Sequence, residues 1–392
     1  MKSKLKKTPL TVTVLMRWIS HYRKDFYEGL KVSLGEKGID LRLLYGEPVT
    51  PGDLAKNDWV QVPWGTKIRN SGFGPEKGLF MWQDALGKLG HSDLLIVEQA
   101  NRLLINYVLM ARRYLFPSNG KLAFWGHGRN FQNPEMDAWS ERFRNVMKRR
   151  ADWWFAYTEL SRSAIRKCGF PEDRITLVEN AIDTRGLAEM ARAVTAEEVS
   201  EFKKSHGIQS ENIAVFCSGM YREKRLEFLI ESALTIRTQI KDFELVIIGG
   251  GAEQIVAEEA SRTHSWIHYL GPTFGKTRVV ALKSAKVYLL PSAVGLGVLD
   301  SFALLMPIVA AEGPFHGPEI AYIKNGINGR ITENSTKAYA DSVIQILSDS
   351  DLHQKLVEGA HESLKHYTLQ NMVKNFSEGV LKCLKVRETE WP

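Results

Sequence analysis

The stretch Leu289 to Ala310, LLPSAVGLGVLDSFALLMPIVA, constrains the fold more than any other part of the chain. It runs strand, glycine-bearing loop, short helix and strand in immediate succession. An apolar run stops at Pro291, Gly295 and Gly297 free the backbone on either side of Leu296, and Asp300 stands one turn into the helix. Such a turn aims backbone N–H groups and the positive end of a helix dipole at one point, which suits a phosphate. A carboxylate one turn further in is placed to hold the ribose hydroxyls of the same nucleotide.

The rest of the chain repeats that alternation, which predicts parallel sheets covered by helices. Strands are expected at Thr11–Met16, Asp40–Tyr45, Leu94–Glu98, Lys121–Trp125, Trp153–Thr158 and Arg174–Val178, with helices at Asp25–Lys37, Arg102–Leu115 and Glu159–Lys167 among them. A second set follows at Ile213–Ser218, Phe243–Ile248, Ile267–Leu270, Val287–Leu290 and Pro307–Ala310. A length of 392 residues exceeds one usual hydrophobic core. Two α/β domains are therefore expected, joined near Met190 to Asn212, where the sequence is polar and lacks strand character. Thr336 onward reads as helical, ending in an amphipathic helix over Tyr367–Lys385. The domains are set at residues 1–190, 191–365 and a C-terminal helix and tail at 366–392.

A formal charge of +7 favours anionic partners without choosing among nucleic acid, lipid headgroups and a phosphate-bearing substrate. Basic residues spread through helices, with no recognised nucleic-acid module, argue against nucleic acid. Three cysteines far apart, Cys168, Cys217 and Cys383, point to a reducing cytoplasm and away from a zinc ribbon. The basic start MKSKLKK reads as a charged tail before the first strand, and no stretch of about 18 apolar residues is present to span a bilayer.

Chemistry-bearing residues cluster after strands. Gly219 precedes MYREKRLEFLIESA, in which Lys224, Arg222 and Arg225 are placed to meet a diphosphate, although a solvated helix start explains the same charges. Gly249 opens a triple glycine after a strand, but Gln254 breaks the dinucleotide spacing, so a tight turn explains it equally well. His127 lies between Gly126 and Gly128 after a strand, in FWGHGRNFQ, Phe124 to Gln132. A lone histidine is more often structural, but the flanking glycines favour a cleft role. His316 and Glu319 in FHGPEI follow the strand after Asp300, at an end where ligands collect, although Glu319 also reads as a helix N-terminal acid.

In order, these segments resemble the C-terminal domain of glycosyltransferase family 4, the retaining GT-B enzymes. Gly219, Lys224 and LEFLIESA resemble the family's G-R-L-x-x-x-K-G-x-D-x-L-I-x-A, and LVIIGGG resembles L-x-I-x-G-x-G. HYLGP and YLLPS are similar to V-x-F-L-G and V-x-V-x-P-S. GVLDSFALLMPIVA resembles G-L-P-L-L-E-A-M-A-x-G-x-P-V-V, and EIAYIKNGINGRI resembles E-x-x-x-D-G-x-N-G-x-L-V. VENAIDT, Val178 to Thr184, resembles V-I-x-N-G-V-D-T, and the His127 loop resembles the family's histidine loop facing the donor sugar. Two departures stand out. Of the family's paired acids, E-x7-E, the second becomes Asp300, but Val294 stands at the place of the first, in a loop about two residues short; Met220 replaces the family's arginine.

The resemblance implies an α/β GT-B fold, two Rossmann-like domains facing each other across a cleft, with a C-terminal helix crossing back to the N-terminal domain. It implies a retaining, metal-independent hexosyltransferase using a UDP- or GDP-type sugar as substrate, with no cofactor. The implied acceptor is a glycan or lipid-linked molecule in cell-surface polysaccharide or lipopolysaccharide assembly, on the cytoplasmic side with peripheral contact to an anionic membrane. In that reading His127 and Lys224 are catalytic. Gly219, Arg222, Arg225, Gly249, Gly295, Leu296, Gly297, Asp300, His316 and Glu319 bind the donor. A noncatalytic GT-B partner subunit and a nucleotide-sugar 2-epimerase are the alternatives.

Overall fold

The computed structural model describes residues 9–50, 53–54, 58–74, 80–116, 120–128 and 149–385. The basic tail and residues 129–132 of the His127 loop lie outside them. Two compact units divide the described chain: residues up to Ile182 together with those from Leu369, and Asp183–Thr368. The first boundary falls at Ile182/Asp183, earlier than the expected 190. The reason is local: Met190–Asn212 holds parts of two helices, Thr184–Ala193 and Ala196–Ser205, and both pack on the helix Gly275–Lys283 of the second unit.

The first unit contains β1 (Leu10–Met16), β2 (Ile39–Tyr45), β3 (Thr66–Lys67), β4 (Asn70–Phe73), β5 (Phe80–Gln83), β6 (Leu94–Glu98), β7 (Lys121–Gly126), β8 (Trp153–Ala156) and β9 (Ile175–Leu177). Seven of these form a parallel sheet in the order β3-β2-β1-β6-β7-β8-β9, and β4 pairs antiparallel with β5. Val12, Val14, Ile96 and Ala123 are fully buried, as expected of strands covered on both faces. The C-terminal helix Leu369–Lys385 belongs to this unit because its apolar stripe completes an aromatic core. Phe376 stacks on Phe155 with ring centroids 4.2 Å apart and meets Trp125 edge-on at 5.0 Å.

The second unit contains β10 (Ile213–Cys217), β11 (Glu244–Ile248), β12 (Ile267–Tyr269), β13 (Val287–Leu289), β14 (Ile308–Ala311) and β15 (Gly329–Thr332), in the parallel order β12-β11-β10-β13-β14-β15. Ile213 to Phe216 are all 0 % exposed, which explains the unbroken apolar run. In both sheets the strand order reverses once, between β1 and β6 and between β10 and β13. Such a switch point leaves a crevice outside the carboxyl ends of the two strands, because their connections depart in opposite directions. Among the described residues, no helix is long and apolar enough to cross a membrane.

Candidate active site

The switch point of the second unit brings two sequence-distant segments together: Ser218–Arg225 after β10 and Leu290–Gly297 after β13. Lys224 ends a short 3-10 turn, Arg222–Lys224. It is buried, and its Nζ donates to the Ala293 carbonyl at 2.6 Å. Burial pulls the Lys224 ammonium down to about 8, because few groups replace its lost hydration. Arg225 adopts φ 56°, the left-handed region, at the position where the family pattern has glycine after its lysine. Its Nη1 donates to Asn334 Oδ1 at 2.6 Å and its guanidinium lies 4.1 Å from the Phe228 ring centroid, which together hold that conformation. Arg222 and Gly219 are exposed at the same end.

Met220, in the place of the family arginine, is buried and donates its N–H to the Gly250 carbonyl at 2.8 Å. Gly249 faces the same turn from β11. At φ 136°, a Cβ on it would lie 1.9 Å from the Ser218 carbonyl oxygen. The glycine therefore serves a close backbone approach, the turn reading left open by the sequence.

The loop after β13 is pinned by its own backbone. Val294 is 0 % exposed, so its side chain belongs to the core. Its N–H donates to His316 Nδ1 at 3.2 Å, and its carbonyl accepts the Gly317 N–H at 2.7 Å. Because Nδ1 accepts, Nε2 carries the proton and donates to the Ala311 carbonyl at 2.8 Å. Burial pushes the His316 imidazole below its ordinary range; nearby Lys224 and Arg225 add to this, and the bond to Ala311 opposes it. Both ring nitrogens of His316 thus serve to hold the loop. Glu319 opens the 3-10 turn Pro318–Tyr322 and is also buried.

Gly295, Leu296 and Gly297 are half-buried at the start of the helix Gly297–Ala303, where the Val298 and Leu299 N–H groups turn back onto the Gly295 and Leu296 carbonyls at 3.2 Å and 2.9 Å. Asp300 lies in that helix with its carboxylate on the Arg278 guanidinium. Arg278 Nε also reaches Cys217 Sγ at 3.4 Å, and Tyr288 donates its hydroxyl to the Cys217 carbonyl at 2.6 Å. Burial raises Asp300 and Arg278 only partly offsets it; Arg278 is held above its usual range because Asp300 outweighs its desolvation. Arg278 went unnoticed in the sequence. Its signal was a basic residue beginning the apolar run VVAL of a helix. Among the described residues, no group of three or more His, Cys, Asp or Glu side chains is arranged to hold a metal ion.

In the first unit, His127 stands exposed just past β7, its ring centroid 4.4 Å from that of Tyr157. The same carboxyl end carries groups that the sequence reading missed. Arg17 after β1 pairs with Glu98 at the end of β6, across the switch point of that sheet. Burial raises Glu98, but Arg17 outweighs it and holds the carboxyl below its ordinary range. Arg23 pairs with Asn180 and lies 5.6 Å from the Tyr157 ring centroid. A charged residue directly following a buried strand was the available signal.

The family model described as "Glycosyl transferases group 1" matches residues 211–349, the segment that holds Lys224, Asp300, His316 and Glu319. The N-acetyl-alpha-D-glucosaminyl L-malate synthase of Bacillus anthracis is 27% identical over 201 residues, 50% of each chain. The phosphatidyl-myo-inositol mannosyltransferase of Mycobacterium leprae is 22% identical over 187 residues, 46% of this chain and 49% of that one. The chain thus spans about half the length of the curated relatives it matches. The structure of Anabaena HepE in complex with UDP superposes over 95% of this chain and 100% of its own, with a TM-score of 0.69 at 13% identity. Residues 211–349 thus match the group 1 glycosyl transferase model, and the architecture of the chain is that of GT-B glycosyltransferase structures.

Proposed function

We propose that this protein transfers a sugar from a nucleoside diphosphate sugar to an acceptor hydroxyl with retention of configuration. The observation that carries the reading is Lys224, a buried ammonium held 2.6 Å from the Ala293 carbonyl where β10 and β13 diverge. An incoming diphosphate is a better partner for it than a neutral carbonyl, and the N–H groups of Gly295 to Gly297 start at the same loop. Catalysis is then electrostatic stabilisation of charge on the leaving diphosphate. The bond from the anomeric carbon to the β-phosphate oxygen breaks with its electron pair leaving on phosphate. The acceptor oxygen bonds to the same face of that carbon, and the acceptor proton passes to the departing phosphate.

A UDP-type donor is supported by the UDP complex of HepE. Asp300 with Arg278 recognises the ribose in this reading, and His127 serves the reaction centre. A lipid-linked or glycan acceptor in cell-surface polysaccharide assembly draws support from the mannosyltransferase named for phosphatidyl-myo-inositol. Peripheral contact with an anionic leaflet is supported by Tyr114, Leu115 and Phe116, each more than half exposed, beside the half-buried Arg112 and the exposed Arg150. Val294 in the place of the first acid favours one second reading, a noncatalytic nucleotide-binding subunit.

The test is release of nucleoside diphosphate from UDP, GDP and ADP sugars, with and without a membrane extract as acceptor source. Lys224→Ala is expected to lower turnover by about 100-fold or more. Lys276→Ala, which only breaks a surface pair with Glu198, should leave turnover within about 2-fold. Inactivity on every donor, with nucleotide binding retained, supports the subunit reading instead.

A further inference from the structure

We infer that the acceptor carries an oxyanion, a phosphate or a carboxylate, which Arg102 binds at the switch point of the first sheet beside the Arg17–Glu98 pair; this rests on the transferase reading above. In that reading the donor belongs to the switch point of the second unit. The corresponding crevice of the first unit, outside the carboxyl ends of β1 and β6, is left for the acceptor.

Arg17 and Arg102 stand in the turns that follow those two strands. Arg17 is already oriented: its guanidinium pairs with Glu98, its N–H donates to Glu98 Oε2 at 3.4 Å, and it lies 4.6 Å from the Trp18 ring centroid. Arg102 has a fixed backbone and an unengaged side chain. Its carbonyl accepts the Met81 N–H at 2.8 Å, which ties the turn to β5, whereas among the described residues nothing is bonded to its half-buried guanidinium. Burial and the like charge of Arg17 hold Arg102 below its ordinary range, against the pull of Asp53 and Glu98. Both acids are engaged elsewhere, Glu98 by Arg17 and Asp53 by the Thr50 hydroxyl, which donates to its Oδ2 at 2.7 Å.

Arg113 shows what a structural arginine of this unit looks like. It is buried, and its Nε and Nη2 donate to the two oxygens of Asp152 at 3.0 Å and 3.2 Å. A guanidinium that is partly desolvated, repelled by a neighbour and left without such a partner destabilises the fold, and an anion that accepts two parallel N–H bonds removes that cost. A solute can reach it, since the Arg17 and Glu98 side chains beside it are 22 % and 14 % exposed.

The experiment saturates the full chain with UDP, so that the cations of the second unit are engaged, and titrates inorganic phosphate at constant ionic strength while the thermal midpoint is read. The parent's midpoint should climb and saturate. In Arg102→Gln it should not respond to phosphate, and before phosphate is added it should lie at or above the parent's, because a repelled cation has gone. Arg166→Gln, which breaks an exposed pair with Glu172, should respond as the parent does. Transfer to glycerol, glycerol 3-phosphate and glycerate is then followed by release of UDP. The parent should prefer one of the two anionic acceptors about 10-fold or more over glycerol, which also tells phosphate from carboxylate; Arg102→Gln should lose that preference through KM, with kcat within about 2-fold. If none of the three is used, the phosphate titration decides. Equal phosphate responses in the parent and Arg102→Gln, a midpoint of Arg102→Gln several degrees below the parent's, or equal use of glycerol and both anionic acceptors overturns the role of Arg102 and leaves the transferase reading standing. A parent that neither binds UDP nor releases it from any sugar nucleotide overturns the reading on which that role rests.

Discussion

The carboxylate of Asp300 is held by the guanidinium of Arg278, which also reaches the sulfur of Cys217 at the end of β10. This pair ties the helix after β13 to the helix Gly275–Lys283 before it, at the edge of the switch point. Asp300→Ala strands a partly buried cation, and chemical unfolding should show a loss of about 3 kcal/mol. The double variant with Arg278→Ala should recover part of that loss, since no charge is left unpaired. If the proposed ribose contact holds, Asp300→Ala also erases any preference for UDP over its 2′,3′-dideoxy analogue.

Lys224 sets a pH dependence. Its folded-state value of about 8 lies below the 10.5 of the unfolded chain, so between those values the unfolded state binds more protons. Stability contributed through this group therefore rises with pH from about 8 to 10.5 and is flat below 8. Affinity for UDP runs the other way, because the anion needs the protonated ammonium. It should fall up to about 10-fold per pH unit above 8, and this slope should vanish in Lys224→Met, as calorimetry across pH 7 to 9.5 can show.

His316 works only when neutral. Its folded-state value lies below the ordinary 6.5, so stability rises as pH increases toward 6.5 and is lost as pH falls through the folded value. Protonated Nδ1 faces the Val294 N–H with a second donor, which opens the loop. As the pH falls from 6.5, amide exchange at residues 293–297 should accelerate in the parent. In His316→Ala it should be fast at every pH, and in His316→Gln, which keeps an acceptor and a donor, the acid-induced change should be muted.

Gly249→Ala tests the turn reading. With φ at 136° and the added methyl 1.9 Å from a backbone carbonyl, the substitution should cost about 2 kcal/mol or more in chemical unfolding. An effect on UDP affinity without loss of stability would instead make Gly249 a ligand contact.

Much of the fold was legible. Leu94–Glu98 and Glu159–Lys167 were read at the bounds they have, because a strand with four consecutive apolar residues and a helix capped by Thr158 carry strong local signals. β15 and the β4–β5 hairpin were missed for one reason. GRIT and NSGF have little apolar alternation of their own, and become strands by pairing with β14 and with Phe80–Gln83. In the candidate site, Lys224, Asp300, His316 and Glu319 were all picked out, because each follows a strand at a carboxyl end. Their partners were not: a carbonyl at Ala293, Arg278 from another helix, and the backbone of Val294.

By itself the sequence determined the alternating α/β architecture, the phosphate-suited turn after β13 and the absence of an acid at Val294, since these depend on periodicity, on glycines and on residue identity along one segment. Tertiary structure alone decided that Asp300 is ion-paired, that both nitrogens of His316 fasten one loop to the next, and that Gly317 packs so closely against Glu319 and the Val294 carbonyl that a Cβ would clash there. Those relationships join segments brought together by parallel strand pairing, and no local pattern encodes which carbonyl a buried side chain meets once the sheet has formed.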